Sequence, residues 1–142
     1  MYVIDASVHV ADARPQDPNH AEARAFLDHV AEEGCAVVLP TIVLAEVAAA
    51  ISRGMGVPDV ARRATAILRR QPHFRFLAVD DRLGDLAAEV AAGAQIRGCD
   101  AVYVALALQH VATLITLDRE PQARVPDGMA ARTPAQELAT LA

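Results

Sequence analysis

The chain has 142 residues, 54% of them hydrophobic and 22% charged, with a formal net charge of −5 and a pI near 5.4. That is enough for one domain with its own core, too apolar for disorder, and too acidic for nucleic-acid binding through a uniformly basic surface. All 13 basic residues are arginine, which excludes lysine-dependent nucleotide, Schiff-base and phosphotransfer sites.

Taken in chain order, short apolar segments alternate with helical patterns. Tyr2 to Asp5 reads as a strand, and the following "SVHVADAR" as β-rich, with no helix directly behind Asp5. Asp17 and Pro18 read as the cap and first turn of a helix to about Glu33, stopped by Gly34. Ala36 to Pro40 is a second strand, and Thr41 caps a helix to about Arg53, ended by Gly54 and Gly56. A third helix starts at Pro58-Asp59 and reaches about Arg70. Phe74 to Val79 is a strand. A helix from Asp80 or Asp81 carries Leu83, Leu86, Ala87, Val90 and Ala94 on one face and stops near Gly98. Another runs from about Asp100 to Val111. Thr113 to Leu117 is a strand, Met129 to Thr133 a weak one, and Thr133-Pro134 opens a short last helix. No run has the length of a membrane span and no basic segment precedes a hydrophobic one at the start, so a cytoplasmic protein is expected. Cys35 and Cys99 stand in no metal or redox spacing and read as packed thiols, and the five histidines form no spacing for ligation.

Apolar strands separated by helices imply a three-layer α/β/α sandwich around a mostly parallel sheet of about five strands, in one domain over residues 1–142. Ligands of such sheets gather at the carboxyl ends of the strands. Asp5 and Asp118 stand at two of those ends, Asp100 near a helix start, and Glu46 is the only charge in "TIVLAEVAAAI". Singly, Asp100 and Asp118 are explained as helix or turn caps, and Glu46 as part of a solvated stripe. Asp5, directly after a buried strand, needs a partner. Together they conflict, because two like charges about 4 Å apart repel by ~4 kcal/mol at an effective dielectric of about 20. A divalent cation removes that conflict, and oxygen ligands without histidine or cysteine suit Mg²⁺ or Mn²⁺.

The segments "VIDAS" (3–7), "LAEV" (44–47), "RGCDAVYVALAL" (97–108) and "LITLD" (114–118), in this order, resemble the PIN-domain nucleases, and closely the VapC-type toxins of bacterial toxin–antitoxin pairs. The resemblance spans essentially the whole chain. It implies a Mg²⁺- or Mn²⁺-dependent endoribonuclease in which Asp5, Glu46, Asp100 and Asp118 hold metal and activate water, leaving a 5′-phosphate and a 3′-hydroxyl. It implies that Ser7 and Thr116 support the acidic set, that a cognate antitoxin covers the site, and that the protein is a homodimer acting on RNA. Glu120, beside Pro121, is the one candidate for a fifth acidic ligand. Arg97 is the candidate phosphate contact, with pairing to a carboxylate as its other explanation. Arg62, Arg63, Arg69 and Arg70 share one helical arc opposite Val60, Ala64, Ile67 and Leu68, which fits either an RNA contact or an ordinary solvated face. Other readings are a solitary PIN nuclease, a non-catalytic PIN-like binding module, and another aspartate-bearing α/β phosphohydrolase. Against the last stands the serine at position 7, where an Asp-x-Asp pair would need a second carboxylate.

Overall fold

The computed structural model describes residues 1–142. Its elements are β1 (Tyr2–Ile4), α1 (Ala6–Ala13), α2 (His20–Glu32), β2 (Val37–Pro40), α3 (Ile42–Met55), α4 (Pro58–Arg69), β3 (Phe74–Leu77), α5 (Asp81–Ala94), α6 (Gly98–His110), β4 (Thr113–Ile115), α7 (Arg119–Arg124), β5 (Ala131–Arg132) and α8 (Pro134–Leu141). All strands pair in parallel, in the order β3-β2-β1-β4-β5. Every residue of β1 and β2 is buried, without the in–out alternation of a half-exposed sheet, so both faces of the sheet centre are covered. Helix α6 lies across β1, β2 and β4 with α5 packed on it, while α1 packs on α2 and α3, and α3 on α4. The result is the three-layer α/β/α sandwich expected from the sequence.

Several helix ends follow their residues. Asp80 caps α5 by accepting from the Leu83 N–H at 2.9 Å, and Thr133 with Gln136 forms a reciprocal capping box at the start of α8. Helix α3 runs through Gly54 and stops at Gly56, whose φ of 70° is left-handed and easy only without a Cβ. Other expectations are corrected. Thr41 precedes α3 but is itself in a helical conformation and makes no side-chain cap bond. Asp17 accepts from the Asn19 N–H at 2.9 Å in a turn ahead of α2, which starts only at His20.

The larger correction is α1. "SVHVADAR" is helical from its start, although Val8 and Val10 favour strands. Ala6, Val8, His9 and Ala11 are buried, and the pairs 6/9 and 8/11 have the i,i+3 spacing of a helix face. Cover for the three-residue β1 outweighs the small local preference. Helix α7 also escaped the sequence reading. Pro121 sits in its first turn, where no N–H is required, so a residue that looked like a break begins a helix.

The C-terminal helix is tied down by a buried acid. Glu137 accepts from the Tyr2 hydroxyl at 2.8 Å and from Arg132 Nη1 at 2.6 Å, joining α8 to β1 and β5. Burial first, and the bond to Glu137 second, push the Tyr2 phenol up to about 12. Glu137→Ala is expected to cost about 2 kcal/mol, because it strands the Tyr2 hydroxyl while the half-exposed Arg132 recovers water. Urea unfolding checks this, and an unchanged midpoint would show that the latch adds no stability.

Candidate functional site

Strand register builds the first half of the site. Ile4 pairs with Ile115, so one step beyond the strand ends Asp5 lies beside Thr116, and the Asp5 N–H donates to the Ile115 carbonyl at 2.9 Å. Thr116 Oγ1 donates to Asp5 Oδ2 at 2.8 Å, and Ser7 Oγ donates to the same oxygen at 2.7 Å. Each hydroxyl also accepts a backbone N–H from the segment after β4: Leu117 onto Ser7 at 3.1 Å, and Asp118 onto Thr116 at 3.0 Å. These two side chains therefore fix the Asp5 carboxylate and the backbone that carries Asp118 in one network.

Helix α6 brings the rest. Asp100 lies in its first turn and is buried, although no hydrophobic pattern explains an acid there. Arg97, at the N-cap, donates Nε to Asp100 Oδ2 at 2.8 Å and Nη2 to Asp100 Oδ1 at 3.2 Å, and reaches Asp118 Oδ2 at 3.4 Å. Three residues beyond Asp100, the buried Tyr103 hydroxyl donates to Glu46 Oε2 on α3. Tyr103 was missed in the sequence because a tyrosine inside an apolar helix looks like core. Its only signal is that a buried phenol needs a partner.

The electrostatics show a pocket compensated only in part, since Arg97 pairs with Asp100 and Asp118 but not with Asp5 or Glu46. Burial pushes Asp5 up to about 6, with the charges of Asp118 and Glu46 adding to the shift and the Ser7 and Thr116 bonds opposing it. Burial also raises Glu46, as does the charge of Asp100, against the hydrogen bond from Tyr103 and the positive charge of Arg97. No arginine or histidine pairs with Asp5 or Glu46. Cys99 is exposed beside Glu46, which corrects its reading as a packed thiol, and Cys35 is partly buried.

The structure thus brings Asp5, Glu46, Asp100 and Asp118 to one edge, with Ser7, Thr116 and Arg97 among them. Four carboxylates, one of them buried and unpaired, are hard oxygen donors that suit a divalent cation. As the side chains stand, however, no three acidic, histidine or cysteine groups are set closely enough to hold one ion. Glu120 turns to Arg124 at 3.0 Å along α7. Arg62 pairs with Asp59, Arg69 lies over the Phe76 ring at 4.8 Å, and all four arginines of that arc are exposed. The opposite arc is less buried than its pattern implies. Ile67 is 63% exposed and lines, with Val60, Ala64 and Leu68, a cavity of about 600 Å³ that none of the four acids touches. No helix is long and apolar enough to cross a membrane.

Comparisons with known proteins agree with this architecture. No curated protein matches the chain. Among solved structures, it is similar to the Mycobacterium tuberculosis VapC20 toxin, described as cleaving the sarcin-ricin loop, with 21% identity, a TM-score of 0.75, and 87% of this chain and 94% of that one covered. It is also similar to FitAcB from Neisseria gonorrhoeae (23% identity, TM-score 0.71, coverage 95% and 99%). A third is VapBC2 from Rickettsia felis, bound to a DNA fragment from its promoter (16% identity, TM-score 0.70, coverage 92% and 97%). The model of the PIN domain matches residues 2–128. With that match across nearly all of its length, and the acids at the sheet edge where its fold collects them, the chain belongs to the PIN-domain family.

Proposed function

We propose that this protein is a Mg²⁺-dependent endoribonuclease, with Mn²⁺ as substitute, and the toxin of a VapBC-type toxin–antitoxin pair. The observation that carries the reading is Asp5, a buried carboxylate gripped by two hydroxyls, surrounded by three further acids and lacking any cationic partner. Its fold neighbours include a toxin described as cleaving the sarcin-ricin loop and a toxin–antitoxin complex from Klebsiella pneumoniae, which supports RNA as substrate and an antitoxin as partner. We extend the reading to a homodimer that works in the cytoplasm.

Asp5, Asp100, Asp118 and Glu46 would hold the ion. When bound, it supplies Lewis acidity and a water of lowered pKa. Ser7 and Thr116 keep the Asp5 oxygens in place, so that little reorganisation is needed when charge arrives. Tyr103 holds one oxygen of Glu46, which leaves the other to ligate the ion or orient the attacking water. Arg97 places a positive group at the mouth of an otherwise anionic edge, where the phosphodiester must enter.

The direct test is incubation of purified protein with a pool of structured RNAs and Mn²⁺. Cleavage products ending in 5′-phosphate are expected, none in excess EDTA, and none with Asp100→Asn. Cleavage that survives EDTA would end the proposal. A neighbouring gene for a small DNA-binding protein whose product binds and silences this chain is the expected partner result. Tyr103→Phe, which keeps the ring in its buried seat, is expected to lower kcat about 10- to 100-fold by releasing Glu46. Single-turnover kinetics check this, and an unchanged rate would mean that Glu46 needs no such support.

A further inference from the structure

Arg97 stands where the proposed function needs something else. Its guanidinium takes both oxygens of Asp100 and one of Asp118, two of the four acids assigned above to a divalent cation. The pairing is lopsided in burial. Asp100 is 6% exposed at its side chain, whereas Arg97 is 68% exposed and reaches in from solvent. Asp5 and Glu46 form no such ion pair. The acids also fail to form a ready three-ligand set. A planar cation thus already satisfies Asp100 and Asp118 from outside.

We infer that Arg97 is an exchangeable counter-ion, which neutralises Asp100 and Asp118 in the metal-free protein and is displaced onto the substrate phosphate when the divalent ion loads. This rests on the nuclease reading above and deepens it. Nothing buries the arginine, so its release opens no cavity. Its fork suits the two oxygens of a phosphodiester as well as those of a carboxylate. With Asp100 and Asp118 given over to an ion, the freed guanidinium would stay tethered beside them by its place at the N-cap of α6. The exchange makes one residue oppose metal binding and favour RNA binding.

Those opposite signs set the test. Mn²⁺ is titrated calorimetrically, without RNA, into EDTA-treated then dialysed wild type, Arg97→Gln and Arg97→Lys. The KM for a cleaved RNA hairpin is then measured at saturating Mn²⁺. Arg97→Gln is expected to bind Mn²⁺ about three- to tenfold more tightly, since an exposed charged pair no longer competes, and to raise KM about as much. Arg97→Lys, keeping the charge without the fork, should fall between. A structural loss would weaken both quantities together. Wild type that binds Mn²⁺ while Arg97→Gln binds it equally or more weakly overturns the counter-ion role and leaves the nuclease reading standing. Tighter metal with unchanged KM overturns the transfer to phosphate. Absence of Mn²⁺ binding by the wild type overturns both readings.

Discussion

Asp5→Asn is expected to abolish cleavage and, in the metal-free protein at pH 7, to raise stability. The two effects share one cause. Asp5 is 6% exposed, and burial pushes its carboxyl up from the 3.8 of an ordinary aspartate to about 6, so the fold favours its protonated form. That contribution is complete below about pH 4 and is lost as pH rises through about 6. At neutral pH the metal-free protein therefore carries a charge it would rather not have, at a cost of ~3 kcal/mol for a shift of this size. Asparagine keeps an oxygen for Ser7 and Thr116 and removes the charge. In EDTA the variant should gain about 2 to 3 kcal/mol at pH 7 and nothing at pH 4. Activity should fall by about 10³-fold or more, as expected when an acid that binds a catalytic ion is neutralised. Chemical unfolding at the two pH values checks the stability claim. A variant less stable than wild type at pH 7 would show that the Asp5 charge is already compensated.

Metal should reverse that penalty. At a free Mn²⁺ concentration about 100 times its dissociation constant, stabilisation amounts to ~2.7 kcal/mol, a rise in Tm of about 8 °C for a domain of this size. At pH 5, one unit below the Asp5 value, the ion must first displace a proton, and the same Mn²⁺ should recover roughly half of the gain. Thermal scans with Mn²⁺ and with EDTA at pH 7.5 and pH 5 measure both. Equal shifts at the two values would mean that Asp5 is not a ligand. A rise surviving in Asp5→Asn would say the same.

Both predictions rest on the charge of the acid cluster, and that charge was legible early. Asp5 and Asp118 end apolar segments that had to be sheet strands, and Glu46 stands alone in a greasy helix. A buried strand tip is costly ground for a carboxylate, so its presence there signals a role. The supporting side chains were legible only by resemblance. Ser7 and Thr116 have ordinary local explanations in turns and strands, and their shared target, Asp5 Oδ2, lies 111 positions before Thr116.

The sequence by itself determined the layers of this protein, the parallel direction of its strands, and the acids delivered to one edge of the sheet. These follow from burial and from where each strand stops, which are local properties of residue type and spacing. Tertiary structure alone decided that "SVHVADA" becomes α1, that Tyr103 holds Glu46 across 57 positions, that Cys99 faces outward, and that Arg97 leans on Asp100 and Asp118. The physical reason is range. A helix that must cover a short strand takes its conformation from the surface it meets, and a hydrogen bond between distant residues exists only once packing has set the two side chains face to face.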